Sequence, residues 1–110
     1  MAHYLVQLSY TSEAWKAQVQ NPANRVEIVR PLLEALGARF EAAYISFGEY
    51  DIVFVMEAPD NVSAAAVSLA VTAGGAVKTY KTTPLMTPDE AIEAMRRAGQ
   101  AASQYRPPGS

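Results

Sequence analysis

Tyr50 and Asp51 set a phenol hydroxyl beside a carboxylate, a pair able to bind a polar ligand or to move a proton. They lie in the stretch FGEYDIVFVMEAPD, residues 47–60, directly ahead of the apolar run from Ile52 to Met56. Tyr10, Tyr44 and Arg25 would complete such a site, because aromatic rings with one arginine suit a planar anionic ligand. A plainer account gives Asp51 to backbone N–H groups of the turn, with Tyr50 packed over it and Arg25 on a helix surface. His3 is the single histidine, so neither a His-rich metal site nor a Ser-His-Asp triad can be built within one chain. It reads as an exposed strand-end residue, and no metal and no cofactor are expected. Asp89, Glu90 and Glu93 cluster at a helix start, where capping and the helix dipole account for them. Gly74-Gly75 lacks the spacing of a phosphate loop.

The whole chain narrows the choice of chemistry further. It has 110 residues, half of them apolar, which suits one domain with a modest core. A net charge of -2, with Arg96-Arg97 as the only adjacent basic pair, argues against a nucleic-acid binder. Cysteine is absent, which excludes disulfides and thiolate chemistry and is compatible with a reducing cytoplasm, the expected location. The first ten residues, MAHYLVQLSY, do not show a secretory-signal pattern. Residues 61–77 carry no charge, but Ser63, Ser68, Thr72 and Gly74-Gly75 interrupt them, so a buried helix is expected rather than a membrane span.

The elements that must position the candidate residues follow from periodicity. Residues 3–10 alternate as a strand, with Tyr4, Val6, Leu8 and Tyr10 on one face. Residues 11–21 allow at most a short helix, after which Asn21 is predicted to cap a second helix with Pro22 at its first position. Val26, Val29, Leu32, Leu33 and Leu36 share a helical face, Gly37 is the expected left-handed stop, and Pro31 predicts a kink. Residues 38–47 read as a strand with Phe40, Ala42, Tyr44 and Ser46 on one side. The turn at Gly48 leads into a third strand, residues 51–57, apolar on both faces and therefore central. Pro59 and Asp60 open a helix whose stripe is Val62, Ala65, Ala66, Leu69 and Ala73. Residues 77–84 form an edge strand marked by Lys78 and Lys81, and Thr87-Pro88-Asp89-Glu90 starts a last helix. One domain over residues 1–104 is expected, with a disordered tail over 105–110.

Strand, helix, strand, strand, helix, strand and an appended helix make an α+β, ferredoxin-like βαββαβ fold with an antiparallel four-stranded sheet. Its second sheet face is left apolar and uncovered, which predicts a homo-oligomer (a dimer or higher) of the dimeric α/β-barrel type, with the uncharged helix at 61–73 as a further contact.

Gly48, Tyr50 and Asp51, followed by IVFVMEAPD, resemble the GYD domain family of small prokaryotic proteins. Ser9-Tyr10-Thr11, the Asn21-Pro22 to Arg25 segment and Ala35-Leu36-Gly37 carry the resemblance across residues 4–95. It implies a dimeric α/β-barrel type of ferredoxin-like fold and says little about activity. The function expected is a non-catalytic oligomeric module binding a small molecule or a protein partner. A cofactor-independent oxygenase or isomerase, with Tyr50, Asp51 and Tyr44 moving protons between sheet and helices, is the alternative. A ligand-sensing regulatory module would need an effector domain from another chain.

Overall fold

The computed structural model describes residues 1–109. Nine elements follow one another: β1 (Ala2–Tyr10), α1 (Ser12–Gln20), α2 (Arg25–Ala35), β2 (Arg39–Ile45), β3 (Ile52–Ala58), α3 (Asn61–Ala73), β4 (Val77–Leu85), α4 (Pro88–Ala101) and a short 3-10 turn at Ala102–Gln104. The strands form one antiparallel sheet in the order β2-β3-β1-β4, the ferredoxin-like arrangement expected from the element order. No helix among the described residues is long and apolar enough to cross a membrane. Ser110, the last residue of the expected disordered tail, lies outside the described residues.

Alternation on the two central strands builds the core. Tyr4, Val6, Leu8 and Tyr10 of β1 meet Ile52, Phe54, Met56 and Ala58 of β3 beneath Leu33 of α2 and Ala64 and Val67 of α3. The opposite face presents Leu5, Val53 and Val55, with Ala42 and Tyr44 on β2 and Thr83 on β4 in register beside them. Among the described residues no helix is packed over that face.

Two bulges reset the alternation in the edge strands. Phe40 pairs with Met56 and Ala42 with Val55, so Glu41 is the extra residue in β2. Phe40 therefore faces the core, stacked edge-on against Phe54 at 5.0 Å, and not the side of Ala42 and Tyr44 that strict alternation predicts. A second shift, between Ser9 and Tyr10, leaves Lys78 unpaired and places Val77 and Tyr80 together on the core face.

Helix boundaries correct several expectations. Asn24, not Asn21, caps α2, accepting the Glu27 N–H at 3.2 Å, while the Asn21 N–H closes α1 on the Ala17 carbonyl. Pro22 accordingly lies in the loop. The α2 helix runs through Pro31 as one element. On α3 the buried residues are Ala64 and Val67, whereas Val62 and Leu69 of the predicted stripe are 79% and 70% exposed. Small Ala64 lets this side approach the sheet with Val67 beside it, and Val62 and Leu69 are left outward. Gly37 does terminate α2, with φ of 74°, and a Cβ there would stand 3.2 Å from Pro59 Cγ. Gly48 has no positive φ, and a Cβ would meet nothing within 4 Å, so the turn does not draw on the conformational freedom of glycine there.

The final helix behaves differently from the rest. The capping box between Thr87 and Glu90 forms as predicted, yet α4 has no buried residue and covers neither sheet face. Ile92 and Met95 remain exposed along it, and the molecule measures 59 × 33 × 22 Å.

Candidate functional site

Asp51 stands where β3 begins, at the end of the sheet where β1 runs out into α1. Its N–H donates to the Leu8 carbonyl and its carbonyl accepts from the Ser46 N–H, each at 2.8 Å. Its side chain reaches across the sheet: Oδ2 accepts the Tyr10 N–H at 2.9 Å and the Trp15 Nε1–H at 3.1 Å. The Trp15 ring in turn meets Tyr10 edge-on at 5.5 Å. The carboxylate thus ties β3 to β1 and α1. Its donors come from other elements, not from its own turn. Tyr50, half-buried beside it, accepts the Ser46 hydroxyl on its carbonyl at 2.6 Å and lines neither cavity described below.

Between the sheet and α1, α2 and α3 lies a cleft in two adjoining parts. An inner cavity of about 310 Å³ is walled by apolar side chains such as Val29, Phe40, Phe54 and Val71. An outer one of about 740 Å³ opens past Trp15, Val19 and Tyr44. Tyr10, Arg25, Val26 and Ile52 line both and form the partition. Arg25, the first residue of α2, is half-buried there and has no salt-bridge partner among the described residues. Burial pushes the Tyr10 hydroxyl above its ordinary pKa, and the neighbouring Arg25 guanidinium works in the opposite direction.

Of the five candidate ligand-binding residues, Tyr10, Arg25 and Tyr44 come together at the cleft. Tyr44 borders the outer part of the cleft at the edge strand, although its register with Val53 assigns its side chain to the open sheet face, where it is 72% exposed. Asp51 stands behind the Tyr10 backbone and Trp15.

Sequence reasoning missed Tyr80. Its side chain lines the inner cavity, its hydroxyl is inaccessible to solvent and without a hydrogen-bond partner among the described residues, and burial pushes its pKa up to about 12. The nearby Lys78 and Lys81 mark β4 as an exposed edge, and only the bulge at Lys78 explains why Tyr80 points inward.

A second cluster was equally invisible in the sequence. His3, Glu41 and Glu57 each bring a potential metal-ligating atom within 4.8 Å of the others on the open sheet face. His3 Nδ1 is bonded to the bulge residue Glu41 and lies 4.0 Å from Glu57. Arg39 also bonds Glu57, holding that carboxyl below its usual pKa. The three residues offer one nitrogen and two carboxylates to a divalent cation, in competition with the Arg39 guanidinium.

Comparison with known proteins adds three findings. The GYD domain family model matches residues 4–95. A protein of Thermus thermophilus described as a glutamine synthetase and cystathionine beta-lyase binding protein is 33% identical over 79 residues, covering 72% of this chain and 83% of that protein. A solved hypothetical protein from Pyrococcus horikoshii shares the fold at a TM-score of 0.50, with 14% identity over 79% of this chain and 92% of its own.

Proposed function

The chain belongs to the GYD domain family, and we propose from that premise that it is a non-catalytic, oligomeric binding module that holds a small molecule in its cleft. One observation carries this reading: Arg25 faces an apolar-walled cleft without a carboxylate partner among the described residues. The carboxylate that a proton-transfer reaction would need, Asp51, has an oxygen committed to the Tyr10 N–H and the Trp15 indole instead. The groups that remain in the cleft are binding groups, a cation and phenol hydroxyls.

Assembly is the second half of the proposal. The open sheet face, with Leu5, Val53 and Val55 at its centre, meets the same face of a second copy about a twofold axis. Exposed Val62 and Leu69 on α3 supply a further contact to another copy or to a partner protein. The Thermus relative, named for binding two enzymes, supports a protein partner for this chain too. The absence of cysteine is compatible with work in the cytoplasm.

Native mass spectrometry of the purified protein tests both halves in one measurement. The expected result is a particle of two or more chains carrying a retained small-molecule mass. A single chain of 11.9 kDa without added mass, at micromolar concentration, overturns the proposal.

A further inference from the structure

The inner cavity is more specific than a generic apolar pocket, and its polar atoms define a ligand. We propose that it takes a small amphipathic monocarboxylate: the acid group on Arg25 and the Tyr10 hydroxyl, the apolar body under α2 and α3, and an acceptor on that body at Tyr80. This rests on the reading of the cleft as a binding site and gives that site a ligand class.

Charge sets the head group. Arg25 presents a planar set of donors that fits a carboxylate in a bidentate manner. Among the described residues it is the only charged one lining the inner cavity. A single negative charge therefore leaves the site neutral, whereas a dianion would leave one charge uncompensated against apolar walls. Position sets the orientation. Arg25 and Tyr10 lie on the partition with the outer opening, so the acid sits toward solvent and the body points inward.

The interior sets the rest. A volume of about 310 Å³ equals roughly ten liquid waters at about 30 Å³ each, room for one aromatic or branched aliphatic group on a short arm. Val29, Phe40, Phe54 and Val71 surround that space with carbon. Tyr80 is the exception. Its hydroxyl is a donor shut away from solvent with no acceptor among the described residues, and folded proteins seldom leave such a group unpaired. Tyr80 pairs with Leu8, two residues along β1 from Tyr10, so the strand positions carrying the two phenols stand roughly 7 Å apart. A para substituent on an arylalkanoic acid spans a distance of that order.

The test uses the ¹⁵N-labelled full chain and three probes: 3-phenylpropanoate, its neutral amide, and 3-(4-methoxyphenyl)propanoate. Both acids are expected to shift the backbone amides of Val26, Val29, Val71 and Val77 saturably, the methoxy acid binding several-fold more tightly. R25Q is expected to weaken acid binding at least about tenfold, equivalent to about 1.4 kcal/mol, and to leave the amide unaffected. R25K should restore part of the loss, and Y80F should erase the preference for the methoxy acid. Each variant's own amide spectrum shows whether it has folded. An amide that binds the cleft as well as the acid, with R25Q silent, overturns the ligand class and leaves the cleft a binding site. No probe shifting the cleft residues overturns the site along with the class.

Discussion

Removing the Asp51 carboxylate should loosen the whole end of the sheet at which the cleft opens. In D51A the Tyr10 N–H and the Trp15 indole N–H lose their acceptor together. A hydrogen bond to a charged group contributes about 1.5–3 kcal/mol, so two give about 3–6 kcal/mol. Asp51 is half-buried, which lets water replace part of the loss and favours the low end, about 3 kcal/mol. For a domain of this size that is a large share of the roughly 5–15 kcal/mol that holds it folded. A fall in melting temperature of roughly 12–24 °C follows from about 4–8 °C per kcal/mol. D51N keeps one neutral acceptor and should cost about half as much. Urea unfolding followed by circular dichroism measures the loss. Fluorescence of Trp15, the only tryptophan, reports the local change independently. W15F removes one donor while its ring can still pack on Tyr10, so the D51A and W15F costs should fall short of additivity by about 1 kcal/mol. A D51A protein within about 1 kcal/mol of the parent would refute the clamp, since surface changes alone cost no more than about 0.5 kcal/mol.

Three further outcomes are expected. G37A should destabilise by about 1–2 kcal/mol in the same urea experiment, because Gly37 has φ of 74° and the new Cβ would crowd Pro59. Tyr80 keeps its proton in the folded state up to about pH 12, whereas the unfolded chain releases it near 10.0. Its contribution to stability is therefore complete below pH 10 and is lost as the pH rises through that interval; Y80F should flatten this alkaline decline and remove the last-titrating phenol from the absorbance at 295 nm. Ending the chain after Met86 should leave thermal stability within about 1 kcal/mol, since α4 buries no residue; a larger loss would show that α4 is part of the domain's core in solution.

The order of strands and helices was legible because β1 and β3 alternate cleanly and because Gly37, Pro59 and Asp60 punctuate the chain where the backbone needs them. Periodicity failed where a bulge added a residue. Glu41 and Lys78 each turn a spacing of two into three, and that reversal hid both the inward Phe40 and the inward Tyr80. The cleft was half legible: Tyr10 and Arg25 were read from their types, but their partner Tyr80 could be found only through register. Asp51 shows the opposite limit. A Tyr-Asp pair looks like chemistry in one dimension, and only the approach of Trp15 from α1 reveals where the carboxylate is committed. On α3, Ala64 and Val67 face the core while Val62 and Leu69 face out, so an apolar count along the helix points to the wrong side.

The projecting α4 also governs how large the molecule looks to instruments that sense size. A compact chain of 110 residues has a radius of gyration of about 13 Å, and a compact particle of twice the length about 17 Å. This single chain already reaches 17.9 Å, because its last helix stands away from the domain. Elution volume or small-angle scattering radius would therefore assign one chain the dimensions of two. Only a measurement of mass separates a lone chain with its arm extended from a pair of chains with the arms folded in.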